Sequence, residues 1–288
     1  MSGLERYLTD WHPEPVIEHD EMSTREPARF AALLNQPTAP AAGSPLPLLW
    51  HWFHFLDWPA QHDIGEDGHP ANHGFLPPIP DRRRMFAGGR VEITRPLDIG
   101  QPADRTSRVS DIAVKQGKTG ELALITVRTE YRQAGTLRLT EEQDLVYRSG
   151  AGTHREFPMV RPEPRPSTAA WQSEPQLSTS LLFRFSALTA NAHRIHYDEP
   201  YTRETEGFPA LVVHGPLLVL LLLELARAHQ RGRQVESIVY RLQHPVFLGN
   251  RVLLSGDMTG PATATLTATA AADTRNAVAD IRFAEDPA

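Results

Sequence analysis

The chain has no cysteine among its 288 residues. Disulfides, thiolate metal sites and a cysteine nucleophile are therefore excluded at once. It also lacks an excess of positive charge: 29 Lys and Arg stand against 35 Asp and Glu, a net charge of −6. Nucleic acid is not an expected partner, and an anionic ligand such as a coenzyme thioester needs a local basic patch. The N-terminus, "MSGLERYLTDWHPEPVIEHDEM", is acidic and has no apolar segment. It reads as neither a secretory signal nor a transit peptide, so the expected location is cytoplasmic. Nor is there an unbroken apolar run of membrane length. The most apolar stretch, Phe208 to Ala226, is interrupted by His214, Gly215 and Pro216 and carries Glu224 near its end. It reads as a buried helix from about Gly215 to Gln230, and no membrane contact is expected.

Hydrophobic content of 40% and charged content of 22% are ordinary for a globular protein. The length favours two domains. A short helix is expected at Pro27–Asn35, with Thr24 as its cap. An aromatic, Pro-rich and His-rich stretch, Pro45 to Pro80, precedes four strand-like runs: Arg90–Leu97, Arg105–Val114, Glu121–Tyr131 and Thr136–Tyr147. The proline-dense segment from 151 to 180 lacks apolar periodicity and reads as a linker between a unit at 1–150 and one at 181–288. The second unit is read as opening with a strand at Leu181–Leu188. The leucine-rich helix follows, then strands at Ser237–Gln243, Arg251–Met258, Thr263–Ala270 and Ala277–Ala284. In "TATLTATA" threonine and alanine or leucine alternate strictly, the period of a half-buried strand.

"RPLDIG" (Arg95–Gly100) and "HPVFLG" (His244–Gly249) share a pattern, and each ends one strand and precedes the next. With the repeated run of strands, this points to a duplicated helix-plus-sheet unit. A helix with almost no polar face must be covered on every side. A curved antiparallel sheet wrapped around it does so. The expected fold is α+β, a double hotdog, with two antiparallel sheets each wrapped around a central helix and joined as one layer.

"FSALTANAHRIHYDEPYTRETEGFPALVVHGPL" resembles the (R)-hydratase/dehydratase motif of the MaoC-like double-hotdog family. The motif frame falls on Asn191 to His196, with His214-Gly215 as the later element. "DGHPANHGFLPPIPDRRRMFAGGR" (Asp67–Arg90) is similar to the subgroup that hydrates itaconyl-CoA and mesaconyl-C4-CoA, and to the fungal-type 3-hydroxyacyl thioester dehydratases. The resemblance implies a hydro-lyase adding water to an unsaturated acyl-CoA, with a branched C5 dicarboxylic acyl group giving citramalyl-CoA as the leading substrate. Alternatives left open are a 3-hydroxyacyl-thioester dehydratase of fatty-acid type, a hotdog thioesterase and a non-catalytic acyl-CoA-binding module.

The wider family carries Asp where this chain has Asn191, and an amide cannot act as a carboxylate base. The resemblance therefore implies His196 as the proton-transferring group, since histidine titrates near neutral pH. Asn191 is the candidate for holding the water, and Asp198 for supplying the missing carboxylate. Gly215 has a rationale of its own: it opens the leucine-rich helix, with Pro216 at the first turn, where free N–H groups and positive dipole character gather. A thioester oxygen gaining enolate charge would meet that backbone. His214 and the cluster Arg82, Arg83 and Arg84 are candidates for substrate binding, the guanidinium fork suiting phosphate or carboxylate. His193 reads as structural or exposed. The histidines at 51, 54, 62, 69 and 73 fit no zinc spacing, and their context reads as a lid or overhang. No metal and no cofactor are expected, coenzyme A entering only as part of the substrate; a homodimer is consistent with the resemblance.

Overall fold

Among the described residues, period-two patterning in both halves produces ten strands that join into one antiparallel sheet. The computed structural model describes residues 3–71, 75, 77–117, 120–149, 163–272 and 274–284. The first half contributes α1 (Glu5–Leu8), β1 (Val16–Asp20), α2 (Arg25–Leu33), β2 (Arg83–Ile93), β3 (Ala103–Gly117), β4 (Gly120–Gln133) and β5 (Thr136–Arg148). The second contributes β6 (Trp171–Ser173), α3 (Thr179–Leu188), α4 (Glu199–Glu204), α5 (Gly215–His229), β7 (Val235–Leu242), β8 (Leu253–Gly260), β9 (Thr263–Ala271) and β10 (Thr274–Phe283). The strand order is β1-β3-β4-β5-β2-β7-β10-β9-β8-β6.

Outward from the joint between β2 and β7, one half runs 2-5-4-3 and the other 7-10-9-8. The two orders match strand for strand, so the sheet is a duplicated unit. The equivalent strands meet antiparallel at the joint, Gly89 opposite Tyr240 and Val91 opposite Ile238. The sequence echo falls at equivalent points, between β2 and β3 and between β7 and β8. Each copy bridges back to the preceding segment, Pro45 to Asp98 and Val212 to Phe247. Each also ends on a glycine of positive φ, Gly100 at +79° and Gly249 at +95°.

In the second half the expected central helix is present. α5 packs against β6, β8, β9 and β10, burying Leu217, Leu218, Val219, Leu220, Leu222, Leu223, Leu225 and Ala226. Each buried Leu or Val side chain contributes about 1.5–3 kcal/mol. The inner face of β9 is Ala264, Leu266, Ala268 and Ala270, all buried, and the small alanines leave room for a leucine-covered rod. No helix among the described residues is long and apolar enough to cross a membrane.

The first half differs. Where the second half starts α5, the described residues of the first half form a 3-10 turn, Trp50–Phe53, with α2 packed on it. The Phe30 ring centroid is 4.7 Å from that of Trp50 and 4.2 Å from that of Phe53. The residues after Phe53 include His54, Asp57 and Pro59, which cannot continue an apolar rod. The turn is pinned instead by Glu141 on β5, fully buried. Glu141 accepts from His51 Nε2 at 3.0 Å, Trp52 Nε1 at 2.8 Å, Gln143 Nε2 at 2.9 Å and the Tyr131 hydroxyl at 3.1 Å. Burial pushes its pKa up, but these donors, His51 first, outweigh it and hold the carboxyl below its ordinary value.

One strand is misread from the sequence. Leu181–Leu188 is helix, the body of α3, capped by Ser178, whose Oγ accepts from Leu181 N–H at 3.2 Å. The alternation Phe183-Arg184-Phe185-Ser186 mimics a strand, but burial follows Leu182, Phe185 and Ser186, a helical spacing. β6 lies inside the stretch read as linker and pairs with β8; residues 151–162 of that stretch lie outside the described residues.

Candidate active site

The segment after α3 turns twice before α5 begins. Asn191 Oδ1 accepts the backbone N–H of His193 at 3.0 Å, a local side-chain turn. A 3-10 turn, Arg194–His196, follows. Then Asp198 caps α4 by accepting from Tyr201 N–H at 3.1 Å. This folding drives the His196 side chain inward, where it is 7% exposed. Its Nδ1 donates to the carbonyl of Val212 at 2.7 Å. That bond fixes the tautomer and leaves Nε2 as a lone pair.

His196 lies directly on His214, with ring centroids 3.6 Å apart and 19° between the planes. His214 is the residue before Gly215, where α5 starts with Pro216 in its first turn. The His196 imidazole and the N-terminus of α5 therefore lie together, as the sequence reading requires. The Gly215 N–H makes no hydrogen bond among the described residues. A Cβ at Gly215 would lie 2.2 Å from Leu242 Cδ1, so the Leu242 side chain of β7 packs closely against this glycine. His214 itself is buried, its Nε2 2.9 Å from the Ser186 hydroxyl. The structure places it beneath His196 as a platform.

Burial lowers the pKa of His196 to about 4; the Val212 carbonyl works in the other direction and His69 adds to the drop. Neutral imidazole is thus the resting form at neutral pH, the form able to accept a proton.

Asp198 is not free to supply a carboxylate to this site. Its Oδ2 accepts from Arg194 Nε at 3.0 Å and from an Arg194 terminal nitrogen at 2.8 Å, while its other oxygen caps α4. The arginine cluster divides. Arg82 donates to the carbonyls of Ala71 and Pro77. Arg83 pairs with Glu206 at 3.5 Å. Arg84 is exposed and stands opposite Tyr147 in the β2–β5 register.

Two residues bear on the site that the sequence reading did not assign to it. The overhang of the first half folds across the loop before His196, carrying Asp67 and His69. The His69 ring lies 4.0 Å from that of His193, and His193 stands edge-on to His196 at 5.5 Å. His193 is half-buried between them, not an exposed loop residue. Asp67 Oδ2 accepts from His69 Nδ1 at 2.9 Å, and Oδ1 from His69 N–H at 2.9 Å. Asp67, His69 and His193 present ligand atoms within 4.8 Å of one another. They are of a type that could meet a cation, although Asp67 already serves His69 as an acceptor. Of the other overhang histidines, His54 donates to Asp20 at 3.1 Å, His62 is exposed beside Asp63, and His73 lies outside the described residues.

The arrangement brings together a buried neutral imidazole, a helix N-terminus and the overhang of the first half. A family profile described as hydroxyacyl-thioester dehydratase type 2 matches residues 49–248. The chain is 47% identical over 231 residues to the mesaconyl-C4-CoA hydratase of Chloroflexus aurantiacus, covering 79% of this chain and 81% of that one. It is 25% identical over 242 residues to the mitochondrial hydroxyacyl-thioester dehydratase type 2 of Schizosaccharomyces pombe, covering 73% and 77%. In fold it is similar to a MaoC-like dehydratase of Phytophthora capsici, with a TM-score of 0.69 at 16% identity over 98% of this chain and 99% of that one. It is similar also to HtdX of Mycobacterium tuberculosis, with a TM-score of 0.63 at 14% identity over 94% and 100%. The double-hotdog architecture, the sequence motifs and the extent of these matches agree: this chain belongs to the hydroxyacyl-thioester dehydratase type 2 family, a family of hydro-lyases.

Proposed function

We propose that this protein adds water reversibly to a branched C5 dicarboxylic enoyl-CoA, with mesaconyl-C4-CoA giving citramalyl-CoA as the leading reaction and itaconyl-CoA as the related substrate. The observation that carries the chemistry is the neutral, buried His196 beside the start of α5. The 47% identity to a mesaconyl-C4-CoA hydratase supports the acyl group.

In the proposed step, written for mesaconyl-C4-CoA, whose double bond is conjugated to the thioester, the thioester oxygen faces the Gly215 N–H. His196 Nε2 takes a proton from water as the water oxygen bonds to the β-carbon. The π pair moves toward the thioester as an enolate, which the helix N-terminus stabilises. The same proton then passes from His196 to the α-carbon, so the imidazole ends as it began. Asn191 is assigned to holding the water through its amide, its Oδ1 being already engaged with His193 N–H. No cofactor beyond the coenzyme A of the substrate enters this scheme.

The test is turnover by the purified chain on mesaconyl-C4-CoA, itaconyl-CoA and crotonyl-CoA, following enoyl absorbance and free thiol in parallel. Loss of absorbance without thiol, fastest on the dicarboxylic esters, is the expected result. Thiol release would replace hydration with thioester hydrolysis. A clear preference for crotonyl-CoA would favour the second reading, a dehydratase of straight-chain 3-hydroxyacyl thioesters, which the family profile supports.

A further inference from the structure

A proton resting on His196 creates a positive charge inside the protein, and a buried charge without a partner is strongly disfavoured. Around His196 the partners are weak. Val212 offers a carbonyl dipole, and His214 and His193 offer uncharged rings. Nearby carboxylates are engaged elsewhere: Asp198 with Arg194, Glu199 with Arg203 at 3.5 Å, and Glu206 with Arg83 and the Tyr201 hydroxyl. Asp67 differs, because its partners are the two N–H groups of His69, and no Arg or Lys pairs with it among the described residues.

The overhang that carries Asp67 is built to press on the catalytic loop. The Asp67 carbonyl accepts the Arg194 N–H at 2.9 Å, and the Glu66 carbonyl accepts from the Arg194 guanidinium at 3.1 Å. Gly68 has φ of +89°, and a Cβ there would fall 1.8 Å from the carbonyl oxygen of Ala192. Only glycine permits that approach. The result is a continuous row of rings, His69 on His193 at 4.0 Å, His193 to His196 at 5.5 Å and His196 on His214 at 3.6 Å, with one carboxylate at its outer end.

We infer that Asp67, delivered from the first half, is the carboxylate of this active site, a positioning residue that acts on His196 through His69 and His193. It fixes the His69 ring and gives the row its negative charge. Burial keeps His69 neutral, against the pull of Asp67. Burial also disfavours the Asp67 charge, but the donors of His69 outweigh it and hold the carboxyl low, at about 2. The pair therefore carries a single negative charge. The other charged groups acting on His69 and His193 are Arg84 from β2, which opposes Asp67, and Glu206 after α4, which supports it. This inference rests on the proton-shuttle reading of His196 and is independent of the acyl group.

The experiment uses Asp67→Asn in the full chain, with two readouts. One is kcat and KM on whichever enoyl-CoA the wild type turns over. The other is the NMR titration of the His69, His193 and His196 rings in ligand-free protein, over the pH range in which the fold persists. Asp67 acts by holding the His69 and His193 rings against His196, and small misplacements at a reacting centre cost up to about a hundredfold, so kcat is expected to fall about tenfold while KM stays within about twofold. The His69 and His193 midpoints should move down, because Asp67 raises both in the wild type. Asp67→Glu should recover part of the loss, and so should Asn191→Asp placed in the Asp67→Asn background. Unmoved midpoints with unchanged kcat would overturn the inference. So would a loss of activity that follows only the folded fraction. Chelator-sensitive wild-type activity restored by Zn²⁺ would also overturn it, giving Asp67, His69 and His193 to a cation instead. The titration needs no substrate, so failure of the dicarboxylic reading leaves it interpretable.

Discussion

The imidazole of His196 lies on that of His214 at 3.6 Å, while its Nδ1 is tied to the carbonyl of Val212. Ring plane and tautomer are both set before any substrate arrives. His196→Gln keeps a polar side chain of similar reach but cannot shuttle a proton. It should lower kcat by about 10²–10⁴, the usual worth of general acid–base catalysis. Circular dichroism and the melting temperature should stay close to wild type. Wild-type turnover in that variant would remove His196 from the chemistry.

The low pKa of His196 has two consequences with a definite sign. Its basic form persists to about pH 4, so the acid limb of kcat/KM in the free enzyme should lie well below 6.5. An acid limb centred at 6.5 would show an exposed base. For stability, the unfolded chain takes up this proton near 6.5 and the folded chain only near 4, so between those values the unfolded state binds more protons. Stability is complete above 6.5 and declines as pH falls toward 4, by roughly 3 kcal/mol from this group alone. Urea unfolding at stepped pH measures it, and His196→Gln should flatten the slope.

Asn191 holds the loop ahead of His196 by accepting His193 N–H. Asn191→Ala removes that acceptor together with the amide assigned to the water. It should lower kcat more than it raises KM. Asn191→Asp keeps the acceptor, so any change it makes to the pH profile reports charge alone. An Asn191→Ala enzyme with wild-type kcat would leave the residue only a turn former.

Gly215→Ala keeps the N–H but places a methyl 2.2 Å from Leu242 Cδ1. The clash is with the end of a flexible side chain, so the fold should survive with a local shift. A displaced donor should cost less than a deleted one, which is worth about 10²–10³. A fall of roughly tenfold in kcat is expected, with a small change in melting temperature. Full activity would argue that the α5 N-terminus does not meet the thioester.

Much of this fold was legible because each signal was local. The leucine density of α5, the strict alternation of β9 and the repeated Pro-to-Gly echo each lie within one element or one turn. The helix α3 was not legible, because "FRFS" alternates as a strand does and only the Ser178 cap argues otherwise. The shortened first half was not legible either: the aromatic stretch around Trp50 gives no period, and its anchor, Glu141, is 90 residues away from His51. A motif points to His196 and Gly215, which the structure sets side by side, whereas the approach of Asp67 and His69 to them has no local signal. Their partners stand across the duplication, Arg194 being 128 residues from Glu66. The "DGH" of the overhang carries a hint in Gly68, but only coordinates show what that glycine touches.

That glycine allows a sharp test of the contact between the halves. Gly68→Ala meets two obstacles. The first is a left-handed backbone, which costs an ordinary residue about 1–2 kcal/mol. The second is the Ala192 carbonyl, 1.8 Å from the new methyl, a backbone atom that cannot rotate aside. Gly43 shares the first obstacle alone, with φ of +79° and nothing within 4 Å of an added methyl group. Gly43→Ala should therefore lose about 1–2 kcal/mol of stability and no activity. Gly68→Ala should lift the overhang from the loop that holds His193 and His196, lowering kcat about tenfold or more, because small misplacements at a reacting centre cost up to about a hundredfold. Comparing kcat and urea stability of the two variants separates the effects. If both lose stability equally and both keep full activity, the overhang is a cover and not part of the catalytic apparatus.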